Sequence, residues 1–248
     1  MVKIENYEGT ADTFTFPYNP LSFDGDVRSN FTDTEYSYFD NKILVSSGSI
    51  APANLILTGH FSGSTRWTDY RNLSSHFGSS HKLKKLYFES DKFYIGVGKE
   101  LKKTHSGGRT NFIDYVFNFS AVLGGVYGDT LKTEGTNAGN RSTYVFEITG
   151  MTNGSNVTLE DSFGNVITVT NTTTGQPFKY SLVKMVDSGR GIFVSEYGYV
   201  EIDGNHTRQV TNTDGFGLLR IGAGANVSTI FTSNLTSPVI KFRDGYAD

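Results

Sequence analysis

The sequence contains no cysteine, which removes disulfides, thiolate metal sites and cysteine nucleophiles together. It leaves the redox compartment open. Charge is sparse: Asp, Glu, Lys and Arg make up 19% of the chain, against about a quarter in ordinary soluble domains. The helix formers Ala, Leu and Glu are scarce. No run of about 18 apolar residues occurs, so no span of a bilayer is expected. The opening MVKIENYEGT lacks an apolar stretch, so no secretory signal is expected.

Signatures of chemistry are missing as well. HExxH and GxSxG do not occur. His76 and His81 are five residues apart across Gly78, and His60, His105 and His206 stand alone. Asp24-Gly25-Asp26 and Asp203-Gly204-Asn205 have a calcium-like composition without the full ligand spacing; both read as turns. Gly222-x-Gly224 is followed by Val227 where a dinucleotide loop needs a third glycine. No catalytic residue, cofactor or metal is therefore expected, and the protein is read as a non-enzyme. Asn-x-Ser/Thr triplets recur (Asn30, Asn118, Asn156, Asn171, Asn226 and Asn234 among them), as chance dictates in a chain rich in Asn, Thr and Ser.

What is abundant is Phe, Tyr, Thr, Val and Ile, punctuated by Gly, Asn, Asp and Ser. These are strand formers and turn formers, so the fold class is all-β. At 248 residues the chain suits one large β-domain or two ordinary ones. The total charge is near neutral, which disfavours a dedicated nucleic-acid binder, but it is segregated. From Met1 to Asp40 two bases stand against eight acids; from Arg66 to Arg109 ten bases stand against four acids. Either these surfaces pair within one subunit or they meet head to tail between copies.

Along the chain, FTFPYNPLSF (14–23) carries two prolines and reads as an arm or edge segment. ANLILTGHFSG (53–63) alternates as a strand. STRWTDYRNLSSHF spaces Trp67, Tyr70, Leu73 or Ser74, and Phe77 as one helix, with Ser64 or Thr65 as N-cap, Asp69 in the first turn and Gly78 as C-cap; the only tryptophan is expected on its buried face. A hairpin turns at Ser90 and Asp91. The stretch 98–111 reads as a basic loop offering Lys99, Lys102, Lys103 and Arg109 to solvent, to DNA phosphates or to an acidic neighbouring subunit. Ile113, Tyr115, Phe117 and Phe119 share one face of the next strand.

GTNAGNRSTYVFEITG then restarts the pattern at Gly135. Tyr144, Phe146 and Ile148 alternate with Val145, Glu147 and Thr149. Beyond it come only short strands, with turns at Phe163-Gly164-Asn165 and Asp203-Gly204-Asn205, the pattern of a sandwich. The seam separates residues 1–134 from residues 135–248.

One helix flanked by hairpins, the seam Asn137–Asn140, then Leu219-x-x-Gly222-x-Gly224-x-Asn226, then a closing strand ending Phe242-Arg243 resemble the Dit-like distal tail protein family of long-tailed viruses. The glycine motif is one residue longer than the usual form, and the arm FPYNP has no counterpart in it. The resemblance implies a tail-tube-like sandwich or split barrel over 1–134 that forms a hexameric ring. It implies a galectin-like peripheral sandwich over 135–248. The implied role is structural, in the virion tail: a ring at the distal end of the tail tube, holding baseplate, fibre or receptor-binding proteins and letting double-stranded DNA through, assembled in the host cytoplasm. Two alternatives are a major tail-tube protein with an added sandwich, and a carbohydrate- or receptor-binding sandwich using Tyr197 and Tyr199 as a platform.

Overall fold

The computed structural model describes residues 2–8, 12–18, 20, 22–26, 54–77, 83–104, 111–187, 193–207, 210–212 and 217–246. Its first part is an antiparallel sheet. The strands are β1 (Lys3–Asn6), β2 (Thr13–Thr15), β3 (Ser22–Asp26), β4 (Asn54–Ser62), β5 (Lys84–Tyr87), β6 (Lys92–Thr104) and β7 (Phe112–Gly128), ordered β2-β1-β5-β6-β7-β4-β3. The proline-bearing arm thus links the two opposite edges, where missing N–H donors cost no ladder bond. On the way it buries Phe14 and Phe16. The Phe14 ring lies 6.2 Å from Phe61 on β4 and the Phe16 ring 6.4 Å from Phe117 on β7, so the sheet rolls around its own core. Asp24-Gly25-Asp26 pairs with β4 as strand; it is not the turn its composition suggests.

Period-two alternation decides which face each side chain takes. Leu55 pairs with Phe119, Leu57 with Phe117 and Phe61 with Ile113, and all six are buried. The helix α1 (Arg66–Ser75) closes over them through Leu73, which is wholly buried. Thr65 occupies the N-cap position but its side chain makes no capping bond, and His76 takes the C-cap. Gly78 lies outside the described residues. Phe77 packs edge-on against Phe117 at 4.7 Å. Gly98 makes room for it, since a Cβ there would lie 2.0 Å from the Phe77 ring.

Trp67 is not on the buried face. It is 43% exposed, with the Lys103 ammonium 4.6 Å above its ring. Trp67 precedes Leu73 by six residues, about 120° around the helix, so the line through Tyr70, Leu73 and Phe77 leaves it outside. The basic loop is also partly a strand. Residues 98–104 belong to β6, with Lys102 opposite Val116 and Lys103 opposite Tyr115. Charged side chains suit this solvent-facing ribbon and do not interrupt its ladder. Arg109 lies outside the described residues.

The second part comprises β8 (Thr143–Thr152), β9 (Asn156–Glu160), β10 (Val166–Thr170), β11 (Pro177–Asp187), β12 (Phe193–Ile202), β13 (Asn205–His206), β14 (Val210–Asn212), β15 (Arg220–Ile221), β16 (Phe231–Ser233), β17 (Leu235–Phe242) and β18 (Gly245–Tyr246). One sheet runs β14-β10-β9-β16. The other runs β13-β12-β11-β8-β15, with β17 also on β8. Val157, Leu159, Ile167 and Val169 from the first face Val145, Ile148, Phe178 and Phe242 from the second, the layered core of a sandwich. Asn171 and Asn234 take left-handed turn positions, both at φ 59°, which accounts for asparagine there.

Alternation on β8 slips. Tyr144 and Phe146 share one cluster, whereas Ile148 joins Val145 in the sandwich core. The register against β17 passes from Lys241↔Glu147 to Phe242↔Val145, so Phe146 is an extra residue in a β-bulge, and a bulge re-aims the side chains beyond it.

The two parts meet through a third apolar cluster. Phe93, Ile95, Leu123 and Tyr127 of the first sheet pack against Tyr144, Phe146, Leu182 and Val183 of the sandwich. Phe93 and Ile95 alternate on β6 with Tyr94, which serves the first core, so at Phe93–Ile95 the sheet is buried on both faces. The chain also crosses the seam at its end: Gly245 and Tyr246 of β18 pair with Tyr127 and Val126 of β7, adding an eighth strand to the first sheet.

Candidate functional site at the seam

The segment after β7 folds back on the chain's end. Lys132 exchanges backbone hydrogen bonds with Phe242, at 2.8 and 3.0 Å. Its ammonium lies 2.6 Å from the Asp244 carboxylate. The other Asp244 oxygen accepts from the Ala138 N–H at 2.8 Å. The residues from Gly135 then run beside the glycine loop after β15. The Asn137 N–H donates to the Ala225 carbonyl at 3.0 Å, Gly224 N–H to the Asn137 carbonyl at 2.9 Å, and Val227 N–H to the Gly135 carbonyl at 2.9 Å.

Asn137 is the hub. It is fully buried, and every arm of its amide is used. Nδ2 donates to the carbonyls of Arg141 at 2.6 Å and Gly222 at 3.1 Å. Oδ1 accepts from Gly139 N–H at 3.2 Å and Gly245 N–H at 3.0 Å. One side chain therefore joins the seam, the glycine loop and the last strand. Gly139 is required by closeness: a Cβ there would lie 1.8 Å from the Gly245 carbonyl oxygen. Asn226, the end of the glycine motif, accepts from Ser228 N–H at 2.9 Å and caps the short 3-10 turn Val227–Thr229.

Arg243 completes the knot. Its guanidinium lies 5.3 Å from the Phe93 ring and 5.6 Å from the Phe146 ring, one from each part. It donates to the carbonyls of Gly128 (3.2 Å) and Asp129. Burial pulls its pKa below the usual arginine range, with Asp129 opposing. Nearby, Glu147 accepts from Lys241 at 2.5 Å and lies 3.0 Å from Lys179. Burial alone would raise its carboxyl, but the two lysines hold it below the ordinary value. Burial pushes the Tyr7, Tyr87 and Tyr127 phenols up, Tyr87 also through its 2.7 Å hydrogen bond to Asp129, so these rings are neutral packing groups.

The three sequence motifs, Asn137–Asn140, Leu219–Asn226 and Phe242-Arg243, are thus brought together. Other candidates are not. Tyr197 packs against the junction cluster, and Tyr199 is buried with its ring stacked 4.2 Å from His206; they form no exposed platform. Lys99, Lys102 and Lys103 stand on the β6 ribbon, with Lys102 3.0 Å from Glu100. His60 stacks against Tyr18 at 5.9 Å, and buried His76 lies 3.7 Å from Asp12. Among the described residues no group of three or more His, Cys, Asp or Glu could hold a metal. Lys132, Glu147, Lys179 and Asp244 were not legible from sequence: their partners lie across long separations and no local pattern marks them.

No family model and no curated protein matches the sequence. Solved structures do match. The chain is similar to the Dit (gp 19.1) protein of phage SPP1, described as a paradigm of the hub adsorption apparatus in phages infecting Gram-positive hosts. The identity is 12% and the TM-score 0.49, over 100% of both chains. It is also similar to a chain of the phage P2 baseplate in its activated conformation with Ca, at 11% identity and a TM-score of 0.49, over 98% of this chain and 97% of that one.

Proposed function

We propose that the protein is a structural component of a viral tail: a distal tail protein whose copies close into a ring, of six by the resemblance, at the end of the tail tube. Residues 1–134 are the ring-forming unit and residues 135–248 the peripheral sandwich, with β18 returning to clasp the first sheet. The ring joins the tube to baseplate, fibre or receptor-binding proteins, and DNA passes through its centre. The observation carrying this reading is the seam. The motifs that make the sequence resemble distal tail proteins lie far apart in the chain, yet they meet at Asn137, where they fix the sandwich to the first sheet. That is the construction of a rigid two-part scaffold. The exposed lysines of the β6 ribbon and the acidic opening stretch supply opposite charges for contact between unlike faces, which is what ring closure needs.

The test is the mass of the purified protein in solution by light scattering. A discrete species of about six times the 27.3 kDa chain, dissociating as salt rises, supports the reading. A monomer at all concentrations, or open-ended tubes, contradicts it.

A further inference from the structure

We propose that the cleft between the two parts is a binding site for a single anionic group of the carboxylate or phosphate class. The cleft encloses about 210 Å³ and is lined by Lys85, Lys179, Lys184, Lys241 and Arg243, against the carboxylates of Glu8 and Glu147. Both carboxylates are already engaged. Glu147 is shared between Lys241 and Lys179, and Glu8 accepts from the Met185 N–H at 3.3 Å. Lys85 and Lys184 have no carboxylate within 4.0 Å among the described residues.

Lys85 instead holds its ammonium 5.3 Å from the Phe93 ring, the same ring that Arg243 covers at 5.3 Å. Two cations thus share one aromatic ring in a partly desolvated cleft. Burial first, and then the nearby Arg243 charge, pulls the Lys85 pKa down, with the Asp129 and Glu5 carboxylates opposing. The Arg243 Nε–H is buried without an acceptor. Like charges so placed repel, with Asp129, 3.8 Å from the Arg243 guanidinium, offsetting part of the repulsion; an anion entering the cleft relieves the rest while gaining charge-assisted hydrogen bonds. The Ser181 side of the wall supplies a neutral polar lining. The small volume and the two flanking carboxylates favour one compact anion over a nucleic-acid backbone. The group can come from a free anion or from an acidic side chain of a second copy, whose first 40 residues hold eight acids. This proposal stands on the cleft alone and does not depend on the tail reading.

The test titrates the full chain with citrate and with inorganic phosphate at constant ionic strength held by sodium chloride, and follows the melting temperature. The expected result is a saturable rise with at least one of them. It should weaken at least tenfold in Lys85→Gln/Lys184→Gln and persist in Lys85→Arg. The single variant Lys184→Gln, with its melting temperature measured in chloride, controls for loss of folding. Light scattering in the same titration separates the sources. Dissociation of an assembly by citrate marks a second copy's carboxylate as the occupant, and unchanged mass marks a free anion; either keeps the site. No rise beyond that in chloride, or an equal rise in wild type and the double variant, overturns the proposal.

Discussion

Replacing Asn137 with alanine should cost the protein a large share of its stability. The amide is fully buried and joins three segments. Truncation strands the carbonyls of Arg141 and Gly222 and the N–H groups of Gly139 and Gly245. A buried backbone group left without a partner costs about 1–3 kcal/mol. The four costs do not add, because they share one cavity and water entering it can serve more than one of them. The expected loss is therefore about 3–5 kcal/mol, against a total of about 5–15 kcal/mol for an ordinary domain. Urea unfolding measures it, with exposed Glu134→Ala as a control expected to shift by less than about 0.5 kcal/mol. Amide exchange adds a local readout: Tyr246, held to β7 only while Gly245 is anchored, should lose protection before the sandwich core does. A loss below about 1 kcal/mol, with Tyr246 still protected, would mean that the amide is not the hub.

Three further outcomes follow from the same geometry. Gly139→Ala drives a methyl against the Gly245 carbonyl, 1.8 Å away, and should lower stability by about 2–3 kcal/mol; an unchanged urea midpoint contradicts the close packing. The Glu147 carboxyl is held below its ordinary value of 4.5 in the folded state, so its contribution is present above that pH and lost as pH falls through the folded value. Glu147→Gln should flatten the acid side of the stability curve between about pH 5 and 3; an unaltered slope there contradicts the pairing with Lys179 and Lys241. The only tryptophan is Trp67, exposed under Lys103, so acrylamide should quench the native emission nearly as well as that of the unfolded chain. Strong protection would return Trp67 to the core.

Period and turn chemistry carried most of the fold into view. Leu55, Leu57 and Phe61, and Ile113 through Phe119, alternate cleanly because each side of the strand meets a constant environment. The turns at Gly164 and Gly204 are marked by residues that tolerate positive φ. Three failures share one cause. Ile148 crosses faces because a bulge opposite Phe242 adds a residue. Trp67 is outside because the first core, built on β4 and β7, takes α1 by Leu73, about 120° around the helix from it. The basic stretch at 98–104 extends as strand because its partner on β7 continues. Each is set by a neighbour distant in sequence, which local pattern does not contain. The seam itself stood out as a break in pattern. Its meaning did not, because Asn137 draws its partners from residues 222 and 245.

End-on images of the assembled particle by electron microscopy should show a closed ring with an open centre, sheet domains toward the axis and sandwiches at the rim. Isolated monomers, filaments, or rings with the sandwiches lining the centre would contradict the distal-tail reading.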